Sequence, residues 1–211
     1  MIRIILIDDH GIMRDGIRSL IAGESDLVII GEAENGVEAL NLMARNNWDL
    51  ALLDISLPDM DGFEVLRRMR SCGCVRPVLV VTMHRDFHVA RRLLQSGANG
   101  FIDKSRLAVE LLQAIRGVAQ GEMFLTEEVR KRLAQPQTPN EKQQPHDLLS
   151  AQEYTILLLI ARGMTVSRIA EELHLSPSTV TTYRRRIKDK LAIKGSTAEL
   201  VRYVMEHALQ V

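Results

Sequence analysis

The chain has 211 residues, of which 46% are apolar and 26% charged, enough for ordinary cores and allowing one large or two small domains. It has no apolar run of 18 residues and no charged leader followed by an apolar stretch and a cleavage site. These features argue against a membrane span or a secreted chain, so a soluble cytoplasmic protein is expected. The net charge is zero but unevenly spread. Residues 1–126 carry 14 Lys/Arg against 17 Asp/Glu (−3), residues 127–147 carry 4 against 4, and residues 148–211 carry 9 against 6 (+3). An acidic front and a basic back suggest a cation and a polyanion as partners.

Five short apolar runs each end in polar residues: Ile4–Ile7, Val28–Ile30, Leu50–Leu53, Val78–Val81 and Gly100–Ile102. Such near-continuous runs are what strands buried on both faces of a parallel sheet require. Between them lie apolar stripes at helical spacing, such as Met13, Ile17, Leu20 and Ile21, then Phe63, Leu66 and Met69. Five β-α units predict a doubly wound, five-stranded parallel α/β sandwich with its ligand site at the carboxyl ends of the strands. Trp48 is expected to cover the sheet edge, and Met60, Met69 and Met83 to sit in the core or at a pocket rim. Cys72-Gly-Cys74 has neither redox-pair nor zinc spacing and reads as free thiols.

Glu127–Ala134 reads as a short helix. Residues 135–147 hold three prolines and almost nothing apolar, which makes them a linker. From Leu148 onward every signal is helical. Ser150-Ala-Gln-Glu153 is a capping box before an apolar run, and Gly163 stops that helix. Thr165 caps a second helix, and Ser176-Pro177 opens a third. Ser196-Thr-Ala-Glu199 is a second capping box, opening a helix Thr197–Leu209. Two of these four helices are joined by a brief turn at His174-Leu175, which is helix-turn-helix anatomy.

Asp8 and Asp9 follow the first strand and Asp54 follows the third, so parallel central strands bring three carboxylates to one sheet edge. Their repulsion is relieved by a hard divalent cation, and oxygen ligands with room for water suit Mg²⁺. Taken singly, Asp8-Asp9 is only a polar strand end, Thr82 a strand-end residue and Lys104 a solvated charge. Together they supply what phosphoryl transfer needs: cations that neutralise the transferring oxygens, a hydroxyl that donates to one, and a carboxylate free to act as nucleophile. His10 and His84 flank the site, in surface or outer positions rather than as ligands.

The segments Ile7-Asp8-Asp9-His10, Leu53-Asp54 through Asp61-Gly62, Val81-Thr82 and Gly97 through Lys104 resemble the receiver domain of two-component response regulators, over about residues 1–118. The resemblance implies Asp54 as phosphoacceptor, with Asp9, Asp54 and the Ser56 carbonyl on Mg²⁺ and Asp8 acting through water. It implies Lys104 and Thr82 as contacts to the phosphoryl group. Phe101 stands where the family has an aromatic that swings inward on activation, a static strand residue being the alternative.

The helix opened by Ser176 presents Ser178, Thr181, Thr182, Arg185, Lys188 and Asp189 on one face, with Val180, Tyr183, Ile187 and Leu191 inward. Small hydroxyls let such a helix enter the major groove, where Arg185 can reach a guanine edge and the other cations phosphates. A solvated face at Arg184, Arg185 and Arg186 is the plainer reading. Residues 148–208 resemble the LuxR-type domain of NarL/FixJ-family regulators, through Leu149-Ser150, Glu153, Ala161 to Met164, Ile169-Ala170, Leu175-Ser176, Thr179-Val180 and Lys190-Leu191. Many members have lysine where Thr181 stands and histidine where Tyr183 stands. Leu158 takes a place usually polar and so can mark an interface. The last helix is where the family dimerises on DNA, with core packing as the alternative.

The expected arrangement is thus a receiver at 1–120, a short helix and linker at 121–147, and a DNA-binding domain at 148–211. The chain reads as a non-enzymatic transcription factor phosphorylated on Asp54 by a sensor histidine kinase, dimerising on activation and binding double-stranded DNA. Two other readings are a phosphatase with an aspartyl-phosphate intermediate and a ligand-gated LuxR-type regulator. The first is opposed by Ser56, which stands where such hydrolases carry a second Asp. The second leaves the acidic cluster without a purpose.

Overall fold

A computed structural model of the chain describes residues 1–83, 87–134, 144–173, 175–207 and 209. It divides into two compact units, Met1–Pro136 and Gln137–Val211. Most of the expected linker, residues 135–143, lies outside the described residues, as do His84 and His174.

The first unit is a five-stranded parallel sheet in the order β2-β1-β3-β4-β5, with β1 at Ile2–Ile7, β2 at Leu27–Ala33, β3 at Leu50–Asp54, β4 at Val78–Thr82 and β5 at Gly100–Asp103. Three strands run one residue past their apolar cores, onto Asp54, Thr82 and Asp103. The ladder continues there, pairing Asp54 with Val81 and Thr82 with Asp103. The polar strand ends are therefore held by the sheet rather than by loops.

Helices α1 (Gly11–Ile21), α2 (Gly36–Arg45), α3 (Gly62–Ser71), α4 (Phe87–Gln95) and α5 (Leu107–Ala119) make the crossovers. Alternate strand residues point to opposite faces. Ile4, Leu6, Leu50, Leu52, Leu79, Val81 and Ile102 form one core with Ile17 and Ile21 of α1 and Leu107, Leu111 and Ile115 of α5. Ile5, Ile7, Ala51, Leu53 and Val80 are fully buried on the other side. Trp48 is buried, its indole N–H donating to the Met43 carbonyl at 3.0 Å. Met69 is buried, but Met83 is exposed. β4 ends one residue earlier, at Thr82, which leaves Met83 outside the core.

Beneath the sheet, Arg3 clasps Asp49 with Nε at 2.9 Å, Nη2 at 2.8 Å and its backbone N–H at 2.8 Å. These bonds hold the Asp49 carboxyl at about 2, below its ordinary 3.8. A depressed carboxylate pKa adds stability above the unfolded value, and that stability drains away as pH falls through the folded value. The urea midpoint should therefore drop between pH 3.8 and about 2, and Asp49→Asn should flatten that part of the profile.

The second unit is helical: α7 (Ala151–Ala161), α8 (Val166–Glu172), α9 (Pro177–Lys190) and α10 (Thr197–Glu206), with α6 (Glu127–Ala134) belonging to the first unit. The Ser150/Glu153 capping box forms in full. Thr165 and Ser176 cap α8 and α9 through their hydroxyls. The expected second capping box does not form: Ser196 makes no side-chain cap, and its carbonyl instead accepts the Glu199 N–H at 3.2 Å. α10 also stops at Glu206, short of Leu209, with His207 as its C-cap. The core gathers Ile156, Leu157, Ile160, Ile169, Val180, Ile187, Leu200 and Val204, while Leu158 is half-buried. A 3-10 turn at Pro145–Leu148 packs with this unit and buries His146, whose Nδ1 lies 3.0 Å from the Tyr203 hydroxyl.

α9 ends in a Schellman turn, with the Ile193 N–H donating to the Lys188 carbonyl at 2.9 Å and Ala192 at φ 56°. A Cβ in that conformation costs roughly 1–2 kcal/mol. Ala192→Gly should stabilise the second unit by about 1 kcal/mol in a thermal melt.

Candidate functional site

The carboxyl ends of β1, β3, β4 and β5 converge on one acidic pocket. Asp8 and Asp54 are 1% and 2% exposed and Thr82 is 1% exposed, whereas Asp9 is partly open to solvent. Lys104, just past β5, reaches back with Nζ 2.8 Å from Asp8 Oδ2 and 2.8 Å from Asp54 Oδ2. Ser56 follows Asp54 by two residues, and its N–H donates to Asp54 Oδ1 at 3.3 Å. The pocket thus brings together Asp8, Asp9, Asp54, Ser56 and Lys104, and Thr82 ends β4, the strand that pairs with β3. Phe101 lies on β5 with its ring already buried, at 3% exposure.

Burial pushes the Asp54 carboxyl above its ordinary pKa, and the neighbouring Asp8 adds to this while Lys104 opposes it. Burial works against charge on Lys104, but Asp54 and Asp8 hold its ammonium above the usual value. Two carboxylates about 4 Å apart repel by roughly 4 kcal/mol at the effective dielectric typical of proteins. Lys104 offsets that, and a divalent cation would offset more.

Ligand atoms of Asp8, Asp9, His10 and Asp54 all lie within 4.8 Å of one another. Asp9 Oδ1 is buried without a hydrogen bond, though His10 Nδ1 lies 2.7 Å away. A buried carboxylate oxygen lacking a donor is costly unless something positive meets it. The donor set and this oxygen fit a hard cation such as Mg²⁺.

One residue of the site's support escaped the sequence reading. Asp59 Oδ1 accepts the N–H groups of Gly36 and Met60 at 2.7 and 2.8 Å, and Oδ2 accepts that of Val37 at 2.9 Å. Despite partial burial, these backbone bonds hold its carboxyl below the ordinary range. Asp59 thereby ties the β3–α3 loop, which carries Ser56, to the first turn of α2. A side chain at residue 36 would collide with the Met60 side chain unless that side chain moved. An aspartate inside Pro58-Asp59-Met60 gave no periodic signal, because its partners lie on another crossover.

In the second unit, α9 exposes Ser178, Thr181, Thr182, Arg185 and Arg186, with Tyr183 and Arg184 half-buried. The Thr181 and Thr182 hydroxyls donate to the carbonyls of Pro177 and Ser178, and the Ser178 and Ser176 hydroxyls pair at 2.7 Å. The Arg186 guanidinium lies 5.9 Å from the Tyr183 ring centroid. Lys188 stands apart from this face: Nζ is held by the Gly195 carbonyl at 2.7 Å, which sequence spacing could not reveal. The helix-turn-helix pair α8 and α9 therefore offers a face of hydroxyls and arginines.

Residues 4–116 match the family model described as "Response regulator receiver domain", and residues 147–204 match "Bacterial regulatory proteins, luxR family". The chain belongs to the LuxR-type two-component response regulators. This regulator is 33% identical over 210 residues to response regulator UvrY of Escherichia coli K12, covering 99% of this chain and 96% of that one. It is 36% identical over 213 residues to response regulator GacA of Pseudomonas syringae pv. syringae, covering 99% and 98%. A solved LuxR-family response regulator from Aurantimonas sp. superposes with a TM-score of 0.60 at 31% identity, over 64% of this chain and 96% of that one. The regulator therefore joins a receiver to a DNA-binding domain and acts in transcription. None of its described helices is long and apolar enough to cross a membrane.

Proposed function

We propose that this regulator takes a phosphoryl group on Asp54 from a sensor histidine kinase, and that the phosphorylated chain dimerises and binds specific double-stranded DNA. The single observation that carries the proposal is the contact of Lys104 with both Asp8 and Asp54, two buried carboxylates at the ends of neighbouring parallel strands. Asp54 attacks phosphorus through a carboxylate oxygen. A P–O bond forms, the P–N bond of the kinase phosphohistidine breaks, and the imidazole leaves as the neutral base after gaining a proton. Asp9, Asp54 and the Ser56 carbonyl would hold Mg²⁺ directly and Asp8 through water. Mg²⁺ supplies positive charge for the transferring oxygens. Lys104 then shifts from Asp8 and Asp54 to pair with one phosphoryl oxygen, and Thr82, at the end of β4, donates to another. Phe101 serves as the aromatic partner of that shift.

We assign the receiver to residues 1–120, the connecting segment to 121–147 and the DNA-binding domain to 148–211. The regulator works in the cytoplasm, where phosphohistidine donor and DNA are both present. We take it as a regulator rather than an enzyme, since Ser56 cannot serve as an acid or base two residues after the nucleophile. On DNA, Ser178, Thr181, Thr182 and Tyr183 approach the groove wall, Arg184 and Arg186 contact phosphates, and Arg185 reads a base edge. Lys188 contributes only after leaving the Gly195 carbonyl.

Selection from a randomised duplex pool, with and without acetyl phosphate and Mg²⁺, tests this reading. A phosphodonor-dependent consensus of two half-sites about one helical turn apart is expected. Arg185→Ala should cost roughly 1–3 kcal/mol and relax one position of each half-site. Equal weakening on every sequence would make Arg185 a phosphate contact, and no enrichment in either condition would contradict the DNA-binding role.

A further inference from the structure

We propose that residues 122–134 form an intramolecular strap over β5 and α4 that a phosphoryl group on Asp54 loosens. The inference rests on the reading of Asp54 given above. After α5 the chain turns at Gly121, φ 89°, and returns beside the outer edge of β5. The Phe101 N–H donates to the Phe124 carbonyl at 3.0 Å, and the Phe124 N–H donates to the Asn99 carbonyl at 3.2 Å. A Cβ at Gly100 would lie 2.6 Å from the Phe124 carbonyl oxygen, so residue 100 is glycine to let the strap approach. The segment then enters α6, which packs on α4. Val129 is 2% exposed, and the Arg132 guanidinium lies 4.7 Å over the ring of Phe87, the first residue of α4.

The strap thus holds the two elements that flank the phosphate-sensing side chains. β5 carries Phe101 and leads into Lys104, and α4 begins five residues after Thr82. Lys104 Nζ is engaged by Asp8 and Asp54, so reaching a phosphoryl oxygen requires it, and the end of β5 behind it, to shift. A shift of β5 acts directly on the Phe101–Phe124 bond. Among the described residues the strap is held by one isolated bridge and the short helix α6, which places it among the first segments to open. The connecting segment leaves from this strap, so its release changes how freely the DNA-binding domain is tethered.

The test is hydrogen exchange read by mass spectrometry on the full chain, with and without acetyl phosphate and Mg²⁺, with intact mass measured on the same sample. Peptides within 122–134 should exchange about tenfold faster once the phosphoryl mass appears, while β1 and β3 stay protected. Val129→Asp should give fast strap exchange without any phosphodonor and still gain the phosphoryl mass. Arg132→Ala, which removes the guanidinium over the Phe87 ring but leaves Val129 in place, should give a smaller increase of the same sign. A phosphorylated chain whose strap exchanges no faster would overturn the strap and leave the phosphoacceptor standing, as would unchanged exchange in both variants. A chain that gains no mass would overturn the phosphoacceptor and the strap with it.

Discussion

Lys104→Met should destabilise the metal-free protein by about 3 kcal/mol and raise its affinity for Mg²⁺ about tenfold. Both effects follow from the position of Nζ, 2.8 Å from each of two buried carboxylates. Removing one partner of a buried ion pair leaves the other charge uncompensated, at a cost of roughly 3–5 kcal/mol. The cost here sits at the low end because burial already raises the Asp54 carboxyl, which can take up a proton. The same ammonium competes with a cation for the same oxygens, so its loss favours Mg²⁺, which in turn should restore the lost stability. Phosphoryl transfer should move the other way and slow by about 10²–10³, because a fixed donor to the transferring oxygens is gone. Urea unfolding with and without Mg²⁺, calorimetric Mg²⁺ titration and the rate of mass gain separate the three effects. Unchanged stability together with unchanged metal affinity would mean that Lys104 is not engaged in the pocket.

In the second unit the largest effect should come from Lys190→Met, which lowers stability by about 3 kcal/mol. Glu153 is almost fully buried, and one of its oxygens takes both partners: the Ser150 N–H donates to Oε2 at 2.6 Å, and Lys190 Nζ lies 2.5 Å from the same oxygen. The pair joins the start of α7 to the end of α9. Losing Lys190 strands the carboxylate. Glu153→Gln should cost less, about 1–2 kcal/mol, because the amide oxygen still accepts from Ser150 and Lys190 is half-exposed and can return to water. Thermal melts of the full chain should show the transition of the second unit falling while that of the receiver stays in place. Equal melting of both variants and wild type would make the pair a solvated surface contact.

The acidic pocket was readable because its members sit at strand ends, where apolar runs stop and polar residues begin. Asp8, Asp54, Thr82 and Lys104 each follow such a run, and parallel topology alone then brings them together. The caps at Ser150, Thr165 and Ser176 were readable for a similar reason: their partners lie three residues away. Contacts between distant crossovers left no such trace. Asp59 binds N–H groups more than twenty residues earlier, and Lys188 is drawn off the helix face by a carbonyl seven residues later. Ser196 matched the capping-box pattern and still failed to cap, since the pattern permits the bond without fixing the side-chain rotamer. The Phe124 bridge was hidden because one paired residue has no periodicity, and its only sign was a glycine inside an apolar strand.

The chemistry of the whole regulator depends on one carboxylate accepting a phosphoryl group with the help of its neighbours. Incubating the full chain with acetyl phosphate and Mg²⁺, then mapping the added mass by peptide, tests this most directly. One phosphoryl group on the peptide that contains Asp54 is expected, absent when Mg²⁺ is chelated and absent in Asp54→Asn, whose amide has the same size but no nucleophilic oxygen. The same mass gain in Asp54→Asn, or a phosphoryl group mapped to another peptide, would contradict the account.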